Sequence, residues 1–218
     1  MYRIDGMLDP EVGAALKMAI SALAIRLGEG DRRLPRQRRA DALGELVRHA
    51  LDEGRLPRRN GVRPHITVTT TLEGLKGELG AAASELEHGM PISSKTVQRL
   101  ACDGTLSRVL KADSIVTDVG RATRAVSPAT RRALRVRDKG CRWPGCDRPV
   151  SLTNPHHIEF VCHGGPTRVP NLVLLCYYHH RLVHEGDWQV VRADDGFKFI
   201  PPDRMVRRVR GPGWRKTA

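Results

Sequence analysis

The chain has 218 residues, with 37 Lys or Arg against 24 Asp or Glu and a formal net charge of +13, which favours a polyanionic partner. A GC-rich genome that spells its basic residues with arginine explains part of that excess, but not the shortage of acidic residues to balance it. No run of 18 apolar residues occurs, so a membrane-spanning helix is excluded, and at this length one ordinary domain plus a small one is expected.

Asp9-Pro10 predicts the start of a helix, with the acid as N-cap and proline in the first turn. Leu16, Ile20, Leu23 and Leu27 recur at helical spacing, and Gly28-Glu-Gly-Asp31 ends the run. A second helix is expected from Pro35 to Asp52, with Leu43, Leu46, Val47, Ala50 and Leu51 turned inward. The β-branched stretch Ile66–Thr71 predicts a strand. Gly74, Gly77 and Gly80 follow, but this glycine run lacks the lysine and hydroxyl of a P-loop and carries no phosphate chemistry. Ser93 or Ser94 caps a short helix through Leu100, and Cys102 at its end is read as a structural thiol with no ligand partner nearby. The most basic patch holds Arg121, Arg124, Arg131, Arg132 and Arg135. Ser127 and Pro128 start a helix there. Its arginines suit either a DNA backbone or a plain solvated face. Near the C-terminus, Trp188–Arg192 and Phe197–Ile200 predict a β-hairpin, and the tail is read as a basic, unstructured arm.

Four of the five cysteines and six of the nine histidines fall between Cys141 and Glu185. Their spacing suits metal better than disulfides, which fits a reducing cytoplasm. If the chain turns helical near Cys176, Cys176 and His179 share one face and His180 and His184 another. His179 and His180 then point about 100° apart, so two metal sites are expected rather than one. Cys141-Arg-Trp-Pro-Gly-Cys146 forms a knuckle that, with Cys176 and His179, gives the Cys3His set of a structural zinc. The bland alternative is a pair of buried cysteines beside a surface histidine. His180 and His184 need a third ligand, and His156-His157 at a strand end supplies one. Neighbouring strand residues face opposite ways, so one of the two joins the metal and the other is left to act as a base. Three protein ligands leave the metal open, as in catalytic sites.

The order of His156-His157, Asn171, and then His180 with His184, wrapped by a cysteine knuckle, resembles the HNH endonuclease family of the ββα-metal fold. The likeness covers about residues 127–188, and the flanking phrases resemble an actinobacterial, notably mycobacterial repeat-encoded, group in which a domain of unknown function precedes the nuclease. The opening is shorter than that group's usual N-terminal region. The resemblance implies that His156, His180 and His184 hold a divalent cation, zinc, nickel, manganese or magnesium. His157 would be the general base, and Asn171 would fix the loop that orients it. His179 stands where many relatives have a fourth zinc cysteine. The expected fold is α+β, with a mostly helical domain over 1–120, a zinc-stapled ββα domain over 121–192, and a hairpin end with basic tail over 193–218. The expected function is hydrolysis of phosphodiester bonds in DNA, with double-stranded DNA as the expected partner. An inactive zinc-stabilised DNA-binding protein is the alternative. A cysteine–histidine hydrolase built on Cys162 is a third reading, set against Cys162 as a small half-buried residue.

Overall fold

The computed structural model describes residues 4–54, 56–57, 65–87, 89–106, 109–112, 115–119, 123–124, 126–194 and 196–202, with backbone alone over 105–124. Arg121 and the basic tail lie outside the described residues, as does the side chain of Arg124. Helices and small antiparallel sheets alternate along the chain. Two compact units divide it: Met1–His65 with Pro144–Cys146, and Ile66–Trp143 with Asp147–Ala218.

In the first unit, α1 runs over Pro10–Leu23 and α2 over Pro35–Glu53. Asp9 caps α1, its carboxylate accepting the N–H groups of Glu11 and Val12 at 3.0 and 3.1 Å. The apolar stripe outlasts the helix: α1 stops at Leu23, and Leu27 is buried in the turn that follows. There the buried Asp31 accepts the Leu27 N–H at 3.0 Å and two guanidinium contacts from Arg33, which also reaches Asp41. Burial pushes the Asp31 carboxyl up, but the hydrogen bonds from Arg33 and the two backbone N–H groups outweigh it and hold it at about 2. In α2, Ala42 is the buried residue, and Val47, expected to face inward, is exposed.

The second unit begins with a three-stranded antiparallel sheet of β1 (Val68–Thr69), β2 (Ser84–Leu86) and β3 (Met90–Ile92). The expected strand over 66–71 is cut to two residues because Thr71 is taken as N-cap of α3 (Leu72–Lys76), where its hydroxyl accepts the Gly74 N–H at 3.0 Å. A local cap wins over β-branched propensity here. Helix α4 (Ser94–Ala101) follows, capped by Ser93, which accepts the Thr96 N–H at 3.2 Å. Short antiparallel pairs β4 (Thr105–Leu106) with β7 (Thr123–Arg124), and β5 (Val109–Ala112) with β6 (Ile115–Val119), lead to α5 (Pro128–Asp138). Ser127 caps α5, as its position before Pro128 predicts.

The site rests on β8 (Thr153–His157), its antiparallel partner β9 (Leu172–Cys176) and helix α6 (Tyr177–Glu185). Thr153 faces Cys176 and His157 faces Leu172 across the pair. Every residue of β9 is buried, and Leu172 and Leu174 join Leu134 of α5 and Val126 in one apolar core. Polar groups close the outer edge of β9. The buried Asp138 carboxylate accepts the Leu174 N–H at 2.9 Å, and the Arg142 N–H donates to the Leu174 carbonyl at 2.9 Å. Arg137 pairs with Asp138 and also donates to the carbonyls of Val169 and Leu172. These contacts satisfy strand-edge groups that would otherwise invite pairing or pay for burial. Strands β10 (Gln189–Ala193) and β11 (Gly196–Ile200) form the expected hairpin.

Candidate metal centres

Among the described residues, two groups of buried side chains bring metal-ligating atoms within 4.8 Å of one another and can hold a metal ion such as zinc. The first is Cys141, Cys146, Cys176 and His179. Cys176 stands at the N-cap of α6 and His179 one turn on, so their shared helix face follows from the i, i+3 spacing. His179 Nδ1 lies 3.3 Å from Cys176 Sγ and 3.5 Å from Cys141 Sγ. The backbone N–H of Cys176 donates to Cys141 Sγ at 3.3 Å. That contact favours an anionic sulfur, the form that binds metal. Gly145 adopts φ +72°, the left-handed turn that bends the knuckle. Trp143 stacks on His179 with ring centres 4.5 Å apart and meets Trp188 and Phe199 edge-on or tilted. Trp143 of the knuckle, backed by Trp188 and Phe199, thus walls the imidazole with aromatic rings.

The second group is His156, His180 and His184, joined by Cys102. His156 Nδ1 and His184 Nε2 face each other at 3.1 Å, and the three ring centres lie 4.8 to 5.2 Å apart. All three rings are buried. Burial, then the neighbouring His184 and His157, pushes His156 well below its ordinary value. Burial, with Arg99 adding to it and Glu185 opposing, pushes His184 down to about 3. Neutral imidazoles with converging lone pairs are metal donors. A hydrogen bond between His156 and His184 would account for that pair, but not for the convergence of His180 and Cys102 on the same point. The donor set therefore fits a divalent cation. Phe160 stacks on His184 at 4.6 Å and shields the cluster with hydrocarbon.

Cys102 corrects the sequence reading, which gave it no ligand partner. It is 3% exposed, and its sulfur lies 3.4 Å from His184 Nε2. Burial pushes its thiol up to about 12, the backbone N–H of His157 opposing. Cys162 is half-buried and stands in neither ligand group.

His157 follows His156 on β8 and turns away from the cluster. Its ring is fully buried, its Nε2 lies 3.0 Å from Thr167 Oγ1, and its Nδ1 has no hydrogen-bond partner among the described residues. Burial pushes it down to about 4. Asn171 Oδ1 accepts the Glu159 N–H at 2.9 Å, while its Nδ2 donates to the carbonyls of Glu159 and Pro166 at 3.0 Å each. These bonds tie the loop after His157 to the start of β9. The same loop leaves no room at Gly165, where a Cβ would stand 1.9 Å from the Glu159 carbonyl oxygen. Of the basic patch, Arg132 and Arg135 are exposed, whereas Arg131 pairs with Asp103.

Residues 1–138 match DUF222, a domain of unknown function. The chain belongs to the DUF222 family. It is 29% identical over 224 residues to the uncharacterized protein Rv1128c of Mycobacterium tuberculosis, covering 94% of this chain and 49% of that protein. It is 32% identical over 231 residues to the uncharacterized protein MT1741Mb1728c of the same species, with the same coverage. To the uncharacterized protein Mb1179c of Mycobacterium bovis it is 27% identical over 225 residues, again covering 94% and 49%. The chain thus spans about half the length of the curated relatives it matches. No solved structure matches it significantly. The DUF222 match contains Cys102 but none of the other metal-ligating residues, which lie after residue 138. Thr167, like Cys102, was missed from sequence. A threonine in a loop has no periodicity to flag it, and only the contact with His157 singles it out.

Proposed function

We propose that this DUF222-family chain is a metal-dependent endonuclease of the HNH type that hydrolyses phosphodiester bonds in double-stranded DNA. The observation that carries the reading is the convergence of His156, His180 and His184 from a strand end and the following helix, next to a histidine whose Nδ1 is unengaged. His156, His180 and His184 would hold a cation there, which would supply Lewis-acid stabilisation of the scissile phosphate and of the leaving 3′-oxygen. Nitrogen donors favour zinc, nickel or manganese over magnesium.

His157 is the general base in this reading. In the tautomer whose Nε2–H donates to Thr167 Oγ1, the proton sits on Nε2 and Nδ1 is left as the basic nitrogen. The ring stays neutral at physiological pH and can take a proton from the attacking water. Because the ring has no exposed surface, its cover must shift when substrate binds. Asn171 positions the loop beside that ring through its three backbone hydrogen bonds. The Cys3His group acts as a structural zinc staple. Arg132 and Arg135 on the exposed face of α5, with Arg121 and Arg124 as further candidates, contribute phosphate contacts.

A second reading is a zinc-stabilised DNA-binding protein that does not cut. The burial of His157 and the presence of Cys102 beside the histidines favour it, since both withhold the centre from water. Nicking of supercoiled plasmid across several divalent metals, with a chelator control, separates the two. The nuclease reading expects cleavage that His157→Ala abolishes while DNA binding persists. Binding without cleavage under every metal selects the second reading.

A further inference from the structure

Helix α4 and its C-cap present Thr96, Arg99 and Cys102 at successive i, i+3 positions, and all three meet the end of α6. Thr96 Oγ1 and Arg99 Nε reach Glu185 Oε1 at 3.3 and 2.9 Å, and Cys102 Sγ reaches His184 Nε2 at 3.4 Å. Lys95 pairs with Asp187 just beyond. Arg181 holds the other Glu185 oxygen, so this carboxylate is clasped from both helices. The α4 thiol is therefore delivered to the histidines by a docked helix face. An ordinary buried cysteine sits among hydrocarbon side chains. This sulfur instead accepts the backbone N–H of His157 and lies within 4.8 Å of a ligating nitrogen on each of three histidines.

We propose that Cys102 is a fourth protein ligand of the histidine-held cation, so that the DUF222-matching part of the chain closes the second centre as a CysHis3 site. The inference rests on the reading that His156, His180 and His184 hold a cation. Ion binding then releases one proton, that of the Cys102 thiol, and the sulfur binds as thiolate. Four protein ligands complete a tetrahedron and leave no position for water or phosphate. The resting centre is thus latched, and a substrate oxygen gains the cation only by displacing the sulfur, which keeps its hydrogen bond from the His157 N–H. The latch couples α4 to the centre: any partner that lifts α4 from α6 opens it.

The test uses the full chain with the Cys3His staple filled by zinc and the exchangeable centre filled by cobalt. Thiolate-to-cobalt charge transfer in the near ultraviolet then reports sulfur at the second centre alone. The expected result is one cobalt per chain with that band in the wild-type protein, and one cobalt without it in Cys102→Ala, where the visible bands also weaken as water raises the coordination number. A wild-type protein that binds one cobalt without the band overturns the Cys102 ligand and leaves the three-histidine centre standing. Failure of the zinc-loaded wild-type chain to bind cobalt overturns the centre and the latch together. Since the wild-type spectrum decides, the outcome does not depend on how well Cys102→Ala folds.

Discussion

Replacing Asn171 with alanine separates positioning from ion binding. The side chain makes three hydrogen bonds at 2.9 to 3.0 Å, all to backbone groups of Glu159 and Pro166. The segment is exposed, so water can replace the lost partners, and the net cost is about 1–2 kcal/mol rather than the full sum of three buried bonds. The strand pair is untouched: Ile158 still donates to the Asn171 carbonyl at 2.9 Å, and β8 and β9 keep their register. The ion should therefore stay, while the loop beside His157 loosens. Plasmid nicking should fall about 100-fold, the size of effect that a displacement near 1 Å produces. Metal content by mass spectrometry should be unchanged, and hydrogen exchange should accelerate at the Glu159 amide but not within β9. Loss of the exchangeable ion in step with activity would refute the reasoning, because Asn171 would then be supporting the ligands rather than the base.

Cys176→Ser removes both a staple ligand and the buried sulfur at the N-cap of α6. Structural zinc is worth about 10–16 kcal/mol, comparable to the whole stability of a domain, so the second unit should unfold as seen by circular dichroism. A folded, zinc-free Cys176→Ser chain would deny the staple its role. Arg132→Ala and Arg135→Ala should each reduce the salt dependence of DNA binding by about one unit of log–log slope, whereas Arg131→Ala, which breaks the pair with Asp103, should leave that slope alone. Equal slopes for all three variants would count against the α5 face as a phosphate contact. His157 falls from 6.5 to about 4 on burial, so between those values the native chain binds fewer protons than the unfolded one. Its contribution is fully present above pH 6.5 and is lost as pH falls towards 4, amounting to about 3 kcal/mol. Urea titrations at several pH values should show a shallower loss in His157→Gln. Identical pH profiles would show that the ring is not held neutral by the fold.

Helix starts and the chemistry of α6 were legible because both are written at short range. Asp9-Pro10 and Ser127-Pro128 announce caps that the backbone N–H groups then use. Cys176, His179, His180 and His184 lie on one short element, where spacing alone divides them into two faces. What failed was long-range or competitive. Val47 fits the apolar stripe of α2 but faces solvent, since periodicity names a face and cannot say how far its cover extends. The strand over 66–71 lost its end to a cap. Cys102 lies far along the chain from His156, and only the packing of α4 on α6, set by Arg99 and Glu185, brings it to the histidines. In the sequence it looked like any solitary core cysteine.

Adjacent residues on α6 serve different centres, and this makes the two proposed ions thermodynamically dependent. His179 belongs to the staple and His180 to the histidine cluster, so neither can turn without the other. An ion in the staple fixes the phase of the helix from its first turn and thereby aims His180 and His184 at His156. The centres share no ligand, yet filling the first should tighten the second by the 1–3 kcal/mol typical of coupled sites. Linkage requires the reverse effect to be equal: the second ion must raise zinc affinity by the same factor. Chelator competition for zinc with and without the exchangeable ion, and ion titration with and without zinc, measure the two factors separately. Affinities that ignore each other would mean that α6 holds its register from β9 and α4 alone, with the staple merely pinning the knuckle.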